Sequence, residues 1–194
     1  MKKLIIYGIE EYAEVAEYYF ENETDYQVDF FTVDQKYASK KKLNGKKVIP
    51  FEHLEINKKF NEEYHFFVAI GFSDNNANRK KIFEKLNKLK VNFANFISKD
   101  ALVASNVQLG KNLFILEQNN LQPFVSVGDN VVMWSGNHIG HHSKIGSHSF
   151  ITSHVVISGG VKVGESSFFG VNSTVIDHIN IEPKSFIKAN KLVT

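Results

Sequence analysis

The C-terminal half of the chain carries an apolar residue at every sixth position, without a break. Neither the 3.6-residue period of a helix nor the two-residue alternation of a strand would stay in phase over so long a run. A six-residue period predicts a parallel β-helix, in which three short strands make one triangular turn. The residues on this period are Ile97, Val103, Leu109, Ile115, Leu121, Val127, Met133, Ile139, Ile145, Ile151, Ile157, Val163, Phe169, Val175, Ile181, Ile187 and Val193.

The other positions of the six-residue unit, here called the hexad and numbered from its apolar residue, follow a pattern too. The second residue is often small, as at Gly128, Gly140 and Gly146, and the fifth is mostly small or aliphatic. Because glycine tolerates backbone angles that other residues avoid, we expect the second position to mark the corners of the coil. The coil should make about five turns, stacked at one strand spacing of roughly 4.8 Å.

The N-terminal half predicts a small α/β unit instead of a coil. Buried strands are predicted at Lys2–Gly8, Tyr26–Val33 and His65–Ile70, with an amphipathic helix after the first and the third. This order of elements favours a parallel sheet. We therefore expect two domains, an α/β domain over residues 1–96 and a β-helix over residues 97–194.

Composition and charge exclude several classes of function. The formal net charge is only +2, which argues against nucleic acid as the main partner. There is no cysteine, so disulfides, thiolate nucleophiles and zinc thiolate sites are excluded. The N-terminus resembles a first strand more than a signal peptide, and no run of 18 apolar residues occurs. We interpret the chain as a cytoplasmic protein without membrane insertion.

Three residues lie at the carboxyl ends of the predicted strands, at the edge of the sheet where ligands of α/β proteins usually bind. They are Gly8, Asp34 and Gly71, and we predict that they contact the substrate. Glu10 and Glu11 open the first helix, where they would repel a pyrophosphate. A dinucleotide site of the NAD type is therefore not expected.

The α/β unit followed by a hexapeptide coil resembles a family of bacterial sugar acyltransferases. That family includes the sialic-acid O-acetyltransferases and the N-acetyltransferases of perosamine and of the bacillosamine pathway. The best local matches are Val68–Arg79 (VAIGFSDNNANR) and His141–Gly146 (HHSKIG), and the resemblance covers nearly the whole chain. It implies a left-handed β-helix and a homotrimer with acetyl-CoA lying along the coil between subunits. It also implies an N-terminal domain that holds a nucleotide-linked sugar, and acetyl transfer to an amine or hydroxyl of that sugar in surface-glycan biosynthesis.

The histidines supply the candidate chemistry. Six of the eight fall between residues 138 and 178. His141 is the third residue of its hexad, and Gly159 occupies the same position one turn later, so the two should lie about one strand spacing apart. A neutral imidazole can accept the proton of an attacking amine or hydroxyl, and a backbone N–H can stabilise the oxyanion that forms. The resemblance implies these same roles, with His141 as general base and Gly159 N–H as oxyanion donor.

The residue that orients His141 is less clear from the sequence. His142 stands where the family usually has an acid that orients the base, and we treat it as a catalytic candidate. Asn137 or a carboxylate from elsewhere could serve instead. The remaining candidates on the coil are Asn137 and His138 for the substrate, and Gly159, Gly160 and His154 for acetyl-CoA.

Other interpretations of these residues remain open. A metal cluster of His138, His141 and His142 is disfavoured, because neighbouring strand residues point to opposite faces, and no metal is required. The segment Trp134–His138 (WSGNH) is also similar to xenobiotic acetyltransferases with the same coil, which favours O-acetylation of a free sugar or a xenobiotic. The coil could also be a trimeric scaffold without chemistry.

Overall fold

The structure, a computed structural model, describes residues 2–194. The chain divides into two compact units. The α/β unit comprises Met1–Gly71 and Lys81–Ala94, and the coil unit comprises Phe72–Lys80 and Asn95–Thr194. In the described part of the chain, no helix combines the length and apolarity needed to span a membrane.

The part of the chain that precedes the coil contains six strands, three α-helices and two short 3-10 helices. In chain order they are β1 (Lys2–Tyr7), α1 (Glu11–Glu23), β2 (Tyr26–Val33), a 3-10 helix (Gln35–Tyr37), β3 (Lys42–Leu43), β4 (Lys46–Pro50), a 3-10 helix (Phe51–His53), α2 (Lys58–Glu63), β5 (Tyr64–Val68), α3 (Ala77–Lys88) and β6 (Asn92–Phe93). The strands form one sheet in the order β3-β4-β2-β1-β5-β6. Every pair is parallel except the β3–β4 hairpin.

The centre of this sheet is buried because its strands are continuous apolar runs. Leu4, Ile5 and Ile6 of β1 are fully buried, as are Phe66 and Phe67 of β5, as expected for a parallel sheet covered on both faces. The three strands predicted from the sequence are therefore found. The structure adds β3, β4 and β6, which are short or rich in lysine and give little apolar signal.

The rest of the chain is a coil of two-residue strands at every sixth position. The strands are β7 (Phe96–Ile97), β8 (Leu102–Val103), β9 (Gln108–Leu109), β10 (Phe114–Ile115), β11 (Asn120–Leu121), β12 (Ser126–Val127), β13 (Val132–Met133), β14 (His138–Ile139), β15 (Lys144–Ile145), β16 (Phe150–Ile151), β17 (Val156–Ile157), β18 (Lys162–Val163), β19 (Phe168–Phe169), β20 (Thr174–Val175), β21 (Asn180–Ile181), β22 (Phe186–Ile187) and β23 (Leu192–Val193). Every third strand pairs in parallel, which gives three sheets of six, six and five strands.

Each sheet is one face of the coil, named here for the outward phenylalanines of the first, for His138 of the second, and for Lys144 and Lys162 of the third. The aromatic face contains β7, β10, β13, β16, β19 and β22; the histidine face contains β8, β11, β14, β17, β20 and β23; the lysine face contains β9, β12, β15, β18 and β21. The first hexad residue points into the coil, where Ile115, Met133, Ile139, Ile151 and Ile157 have no exposed surface. The period of six thus arises from one inward side chain for each strand.

The chain turns at the fourth hexad position, and the expectation that the second position marks the corners was wrong. Fourth-position residues other than glycine have φ between 54 and 68° from Asn112 onward, in the left-handed region. Asparagine and histidine enter this region more readily than most residues, which explains why both recur there. The residues concerned are Asn112, Gln118, Phe124, Asn130, His142, His148, His154, Ser166, Asn172, His178, Lys184 and Asn190.

The small second-position residues instead allow adjacent turns to approach closely. A Cβ on Gly140 would lie 2.6 Å from the backbone nitrogen of Gly159. A Cβ on Gly146 would lie 2.6 Å from that of Glu165, and on Gly170 it would lie 2.4 Å from that of Ala189. These glycines are needed for space and have φ values outside the left-handed region.

Candidate active site

His141 and Gly159 are in contact, as their spacing in the sequence predicts. They occupy the third hexad position on consecutive turns, at the corner between the histidine face and the lysine face. A Cβ on Gly159 would lie 2.8 Å from Cε1 and 2.9 Å from Nε2 of the His141 ring. The exposed imidazole therefore lies directly against a backbone that only glycine leaves bare.

His142 is the side chain that contacts Nδ1 of His141. The two Nδ1 atoms lie 3.1 Å apart, and the rings meet edge to face at 5.3 Å. His142 is itself held by Phe124, whose ring stacks on it at 4.6 Å. One Nδ1 must carry a hydrogen and the other must accept it. With the hydrogen on His141, its Nε2 beside Gly159 is the unprotonated nitrogen that a general base needs.

The N–H of Gly159 already has an acceptor. It donates to Oδ1 of Asp177 across 2.8 Å. Asp177 occupies the third hexad position one turn after Gly159. Lys111 N–H donates to Asp129, one turn after it, in the same way and also across 2.8 Å. Asp177 was not predicted as a site residue from the sequence, although its spacing of one turn from Gly159 was the available signal.

Asn137, which the sequence predicts to contact the substrate, lies inside the coil. Its side chain is 1% exposed, and its amide nitrogen donates to Oδ1 of Asn119 at 2.9 Å and to the carbonyl oxygen of Trp134. Its Oδ1 accepts from Val155 N–H at 2.8 Å. These hydrogen bonds all lie within the coil and none reaches His141.

His138 lies on the histidine face, half-buried, on strand β14. It pairs with Asn120 on one neighbouring strand and with Val156 on the other. It is outward-facing and remains a candidate for substrate contact. Among residues 2–194, no group of three His, Asp or Glu side chains converges to hold a metal ion.

The other two residues predicted to contact acetyl-CoA are corner residues. Gly160 has φ +68°, and a Cβ there would lie 2.4 Å from Nδ1 of His178. His154 packs in the same way on Gly136, with Nδ1 2.5 Å from the Cβ position. His154 lies between the aromatic and histidine faces, so the structure does not place it at the corner of His141.

Two lysines face each other on the lysine face, directly after the corner that carries His141. Lys144 of β15 pairs with Lys162 of β18, and both side chains are exposed. Like charges placed opposite each other on neighbouring strands are destabilising. The pair therefore gives this face a local positive potential that would attract an anion.

In the α/β unit, Asp34 lies at the carboxyl end of β2 within a small polar cluster. Its Oδ1 accepts from Tyr7 Oη at 2.5 Å and from Lys85 Nζ at 2.6 Å. Burial alone would raise the pKa of Asp34, but the hydrogen bonds from Lys85 and Tyr7 outweigh it and lower that pKa. Burial raises the pKa of Tyr7, and the hydrogen bond to Asp34 raises that pKa further. Lys85 Nζ also lies 3.9 Å from the centre of the Phe51 ring.

The two glycines predicted beside Asp34 differ from each other. Gly8 has φ +146°, and a Cβ there would lie 2.3 Å from the carbonyl oxygen of Ala69, so this position requires glycine for the packing of β1 beside β5. Gly71 follows the end of β5 by three residues and has no atom within 4 Å of its Cβ position. Space is therefore available at Gly71 for a larger residue or for a ligand.

Sequence reasoning marked Val68–Arg79 by resemblance, and the structure gives its Asn and Arg a role in the coil unit. Arg79 is fully buried, and its guanidinium donates to Oδ1 of Asn76 at 2.8 Å, to the His148 carbonyl at 2.7 Å and to the Asn130 carbonyl. The amide of Asn76 donates to the Ser166 carbonyl at 3.3 Å. These contacts fix the segment to the corner between the lysine and aromatic faces.

Comparison with known proteins agrees with this architecture. Residues 3–86 match the family model of the PglD N-terminal domain. The acetyltransferase domain of PglB from Neisseria gonorrhoeae has 20% identity and a TM-score of 0.84, covering 100% of this chain and 92% of that chain. A mutant of perosamine N-acetyltransferase from Caulobacter crescentus, in complex with CoA and GDP-perosamine, has 22% identity and a TM-score of 0.85, covering 100% and 89%. The chain is therefore similar in fold to two sugar acetyltransferases.

The predicted fold class is confirmed. It is an α/β unit followed by a left-handed parallel β-helix. The PglB acetyltransferase domain in complex with acetyl coenzyme A, at 18% identity and a TM-score of 0.83, covers 99% of this chain and 92% of its own. At these identities the similarity establishes the fold, while the roles of individual residues rest on the geometry above.

Proposed function

We propose that the protein transfers an acetyl group from acetyl-CoA to an amine, or alternatively a hydroxyl, of a nucleotide-linked sugar. The observation that carries this proposal is the His141 imidazole, which lies against the bare backbone of Gly159 and is held at Nδ1 by His142. An exposed imidazole beside a backbone N–H combines the two groups that acyl transfer from a thioester requires.

The reaction would proceed by addition and elimination. The acceptor nitrogen attacks the thioester carbonyl as Nε2 of His141 removes its proton, so that the N–C bond forms and the carbonyl oxygen becomes an oxyanion. A backbone N–H, for which Gly159 is the candidate, stabilises that oxyanion. The C–S bond then breaks, and the His141 imidazolium returns the proton to the sulfur of CoA. The contact with His142 keeps the ring oriented through both proton transfers.

The α/β unit supports a nucleotide-linked acceptor. Its residues 3–86 match the PglD N-terminal domain, and the Caulobacter enzyme with the same fold is in complex with GDP-perosamine. Asp34 lies at the strand ends where α/β proteins bind ligands, and its Oδ1 is held by Tyr7 and Lys85. We infer that this cluster recognises the nucleotide part, and that the product enters surface-glycan biosynthesis.

The donor is acetyl-CoA, and two features of the coil suit it. Neighbours of the same fold are in complex with CoA or with acetyl coenzyme A. Lys144 and Lys162 supply positive charge for phosphate groups next to the corner of His141. The histidine face also exposes Leu102, Val156 and Leu192, an arrangement that suits assembly as the homotrimer implied by the resemblance. Mass in solution tests that assembly.

The decisive experiment measures release of free CoA from acetyl-CoA with a panel of nucleotide-linked amino sugars and their hydroxyl counterparts. We expect one acceptor to respond, and His141→Ala to lower turnover by about 10² or more, as for a lost general base. His53→Ala, an exposed histidine in the α/β unit, is the matched control and should match wild type. Failure of every acceptor, or full activity of His141→Ala, would reject the proposal in favour of a scaffold or another acceptor.

A further inference from the structure

We infer that Asp177 is a positioning residue that occupies the oxyanion donor until acetyl-CoA arrives and then yields it to the thioester carbonyl. The inference rests on the proposed function. It starts from the contact of 2.8 Å between Gly159 N–H and Oδ1 of Asp177, at the backbone that His141 covers. A carboxylate and a forming oxyanion cannot share one N–H, because both are negative.

Three neighbouring N–H groups at this corner are bound by backbone acceptors that cannot leave. Ser158 N–H donates to the Val175 carbonyl, Gly160 N–H to the His141 carbonyl, and His142 N–H to the Pro123 carbonyl. Each of these acceptors belongs to the backbone of the coil, so releasing them would unwind a turn. These groups are therefore unsuited to receive a substrate oxygen.

Gly159 N–H differs from these three because its acceptor is a side chain, as is the acceptor of His141 N–H, Oε1 of Gln122 at 2.9 Å. Asp177 is exposed, and rotation about its χ1 would carry the carboxylate into water without moving the backbone. Gly159 itself is buried, so its N–H would keep its direction when the carboxylate leaves. The donor is in this way held in place before the substrate binds, which is the form of preorganisation that favours oxyanion stabilisation.

This arrangement has a consequence that distinguishes acetyl-CoA from CoA. Acetyl-CoA has a carbonyl that must displace Asp177, whereas CoA has no oxygen at that place. Removal of the carboxylate should therefore strengthen binding of acetyl-CoA and leave binding of CoA unchanged. Because the gain applies to ground state and transition state alike, KM should fall while kcat stays the same.

The test compares acetyl-CoA and CoA by calorimetry on the full chain in wild type, Asp177→Ala and Asp177→Asn. We expect Asp177→Ala to lower Kd for acetyl-CoA roughly tenfold, the scale of one hydrogen bond to a charged group, with Kd for CoA within about twofold. Asp177→Asn keeps a neutral acceptor, and its Kd for acetyl-CoA should lie between those of wild type and Asp177→Ala. Asp129→Ala is the matched control, since Asp129 accepts from Lys111 N–H across the same 2.8 Å at another corner. This variant should leave Kd unchanged for both acetyl-CoA and CoA.

Equal effects on the two ligands in Asp177→Ala would overturn the inference, because a merely structural contact cannot distinguish a thioester from a thiol. If Asp177→Ala does not fold, Asp177→Asn decides, and an unchanged ratio of the two Kd values has the same meaning. In either case a wild type that turns over acetyl-CoA leaves the proposed function standing. A wild type that binds no acetyl-CoA rejects the proposed function, and this inference with it.

Discussion

The side-chain amide of Asn130 meets Nδ1 of His148 at 3.0 Å, one turn further along the same corner of the coil. The Oδ1 of Asn130 is taken by the amide of Asn112 at 2.8 Å, so its NH₂ group faces the imidazole. Nδ1 of His148 must therefore accept a hydrogen bond, which a doubly protonated ring cannot do. Burial, together with the positive charges of Lys80 and Arg79, lowers the pKa of His148 to about 4.

This contact predicts that acid destabilises the coil. Since the pKa of His148 is lower in the folded state than the ordinary value of 6.5, the unfolded state binds the proton more readily. The stability is present above pH 6.5 and is lost as the pH falls from 6.5 through about 4, by up to about 3 kcal/mol. Urea unfolding measured between pH 7.5 and 4 checks this.

His148→Asn is the variant that isolates the effect. Asparagine tolerates the left-handed backbone at this corner and continues the row of amides formed by Asn112 and Asn130. We expect this variant to lose less stability than wild type over the same pH range. Parallel pH curves for the two proteins would assign the acid sensitivity to other groups.

Arg79 predicts a large loss of stability when it is replaced. In Arg79→Met the aliphatic length is kept, but the carbonyls of Asn130 and His148 lose their buried donor. We expect a loss of roughly 3 kcal/mol, the scale of two buried acceptors left without a partner. Lys81→Met, an exposed position on the same helix, is the control and should change the free energy of unfolding by less than about 0.5 kcal/mol. Equal losses would contradict the role given to Arg79.

Most of the fold could be predicted because one physical requirement repeats. Each two-residue strand needs one inward apolar side chain, so the period of the coil can be seen directly in residues such as Ile139, Ile145 and Ile151. The corners could not be assigned as easily. Four of the histidines between 138 and 178 are left-handed corner residues, and nothing in their chemistry distinguishes them from ligands before the backbone is known.

The candidate site was predicted in part for the same reason. The spacing of one turn placed His141 beside Gly159, because equivalent positions on consecutive turns are adjacent. It applied equally to Asp177, but a hydrogen bond from a backbone N–H to a side chain depends on rotamer and is not visible as a pattern. Asn137 shows the opposite case, since its burial depends on a row of amides with Asn119 that sequence spacing alone did not suggest.

The glycines give a prediction that separates space from conformation. In Gly140→Ala the new methyl group would lie 2.6 Å from the backbone of Gly159, and neither turn of the coil can move away cheaply. We expect the free energy of unfolding, measured in urea, to fall by about 1–3 kcal/mol, the usual cost of overpacking. Gly71→Ala is the control, since its Cβ position is open, and it should be neutral or slightly stabilising. A neutral Gly140→Ala would show that adjacent turns are less tightly packed than the structure indicates.

The lysine pair gives a prediction about the donor. Lys144 and Lys162 repel each other on neighbouring strands, which is a cost unless an anion lies between them. If they contact the phosphates of acetyl-CoA, Lys144→Gln with Lys162→Gln should raise KM for acetyl-CoA about tenfold and leave kcat unchanged, since binding alone is lost. The double variant should also be more stable than wild type at low ionic strength.

Salt dependence provides the independent readout for this pair. Exposed charges are screened as the ionic strength rises, so added salt should raise KM for acetyl-CoA in wild type more than in the double variant. Lys58→Gln with Lys59→Gln removes the same charge from an exposed helix of the α/β unit and should preserve both KM and its salt dependence. If the two double variants behave alike, the lysine face acts only through net charge, and the phosphates of the donor bind elsewhere on the coil.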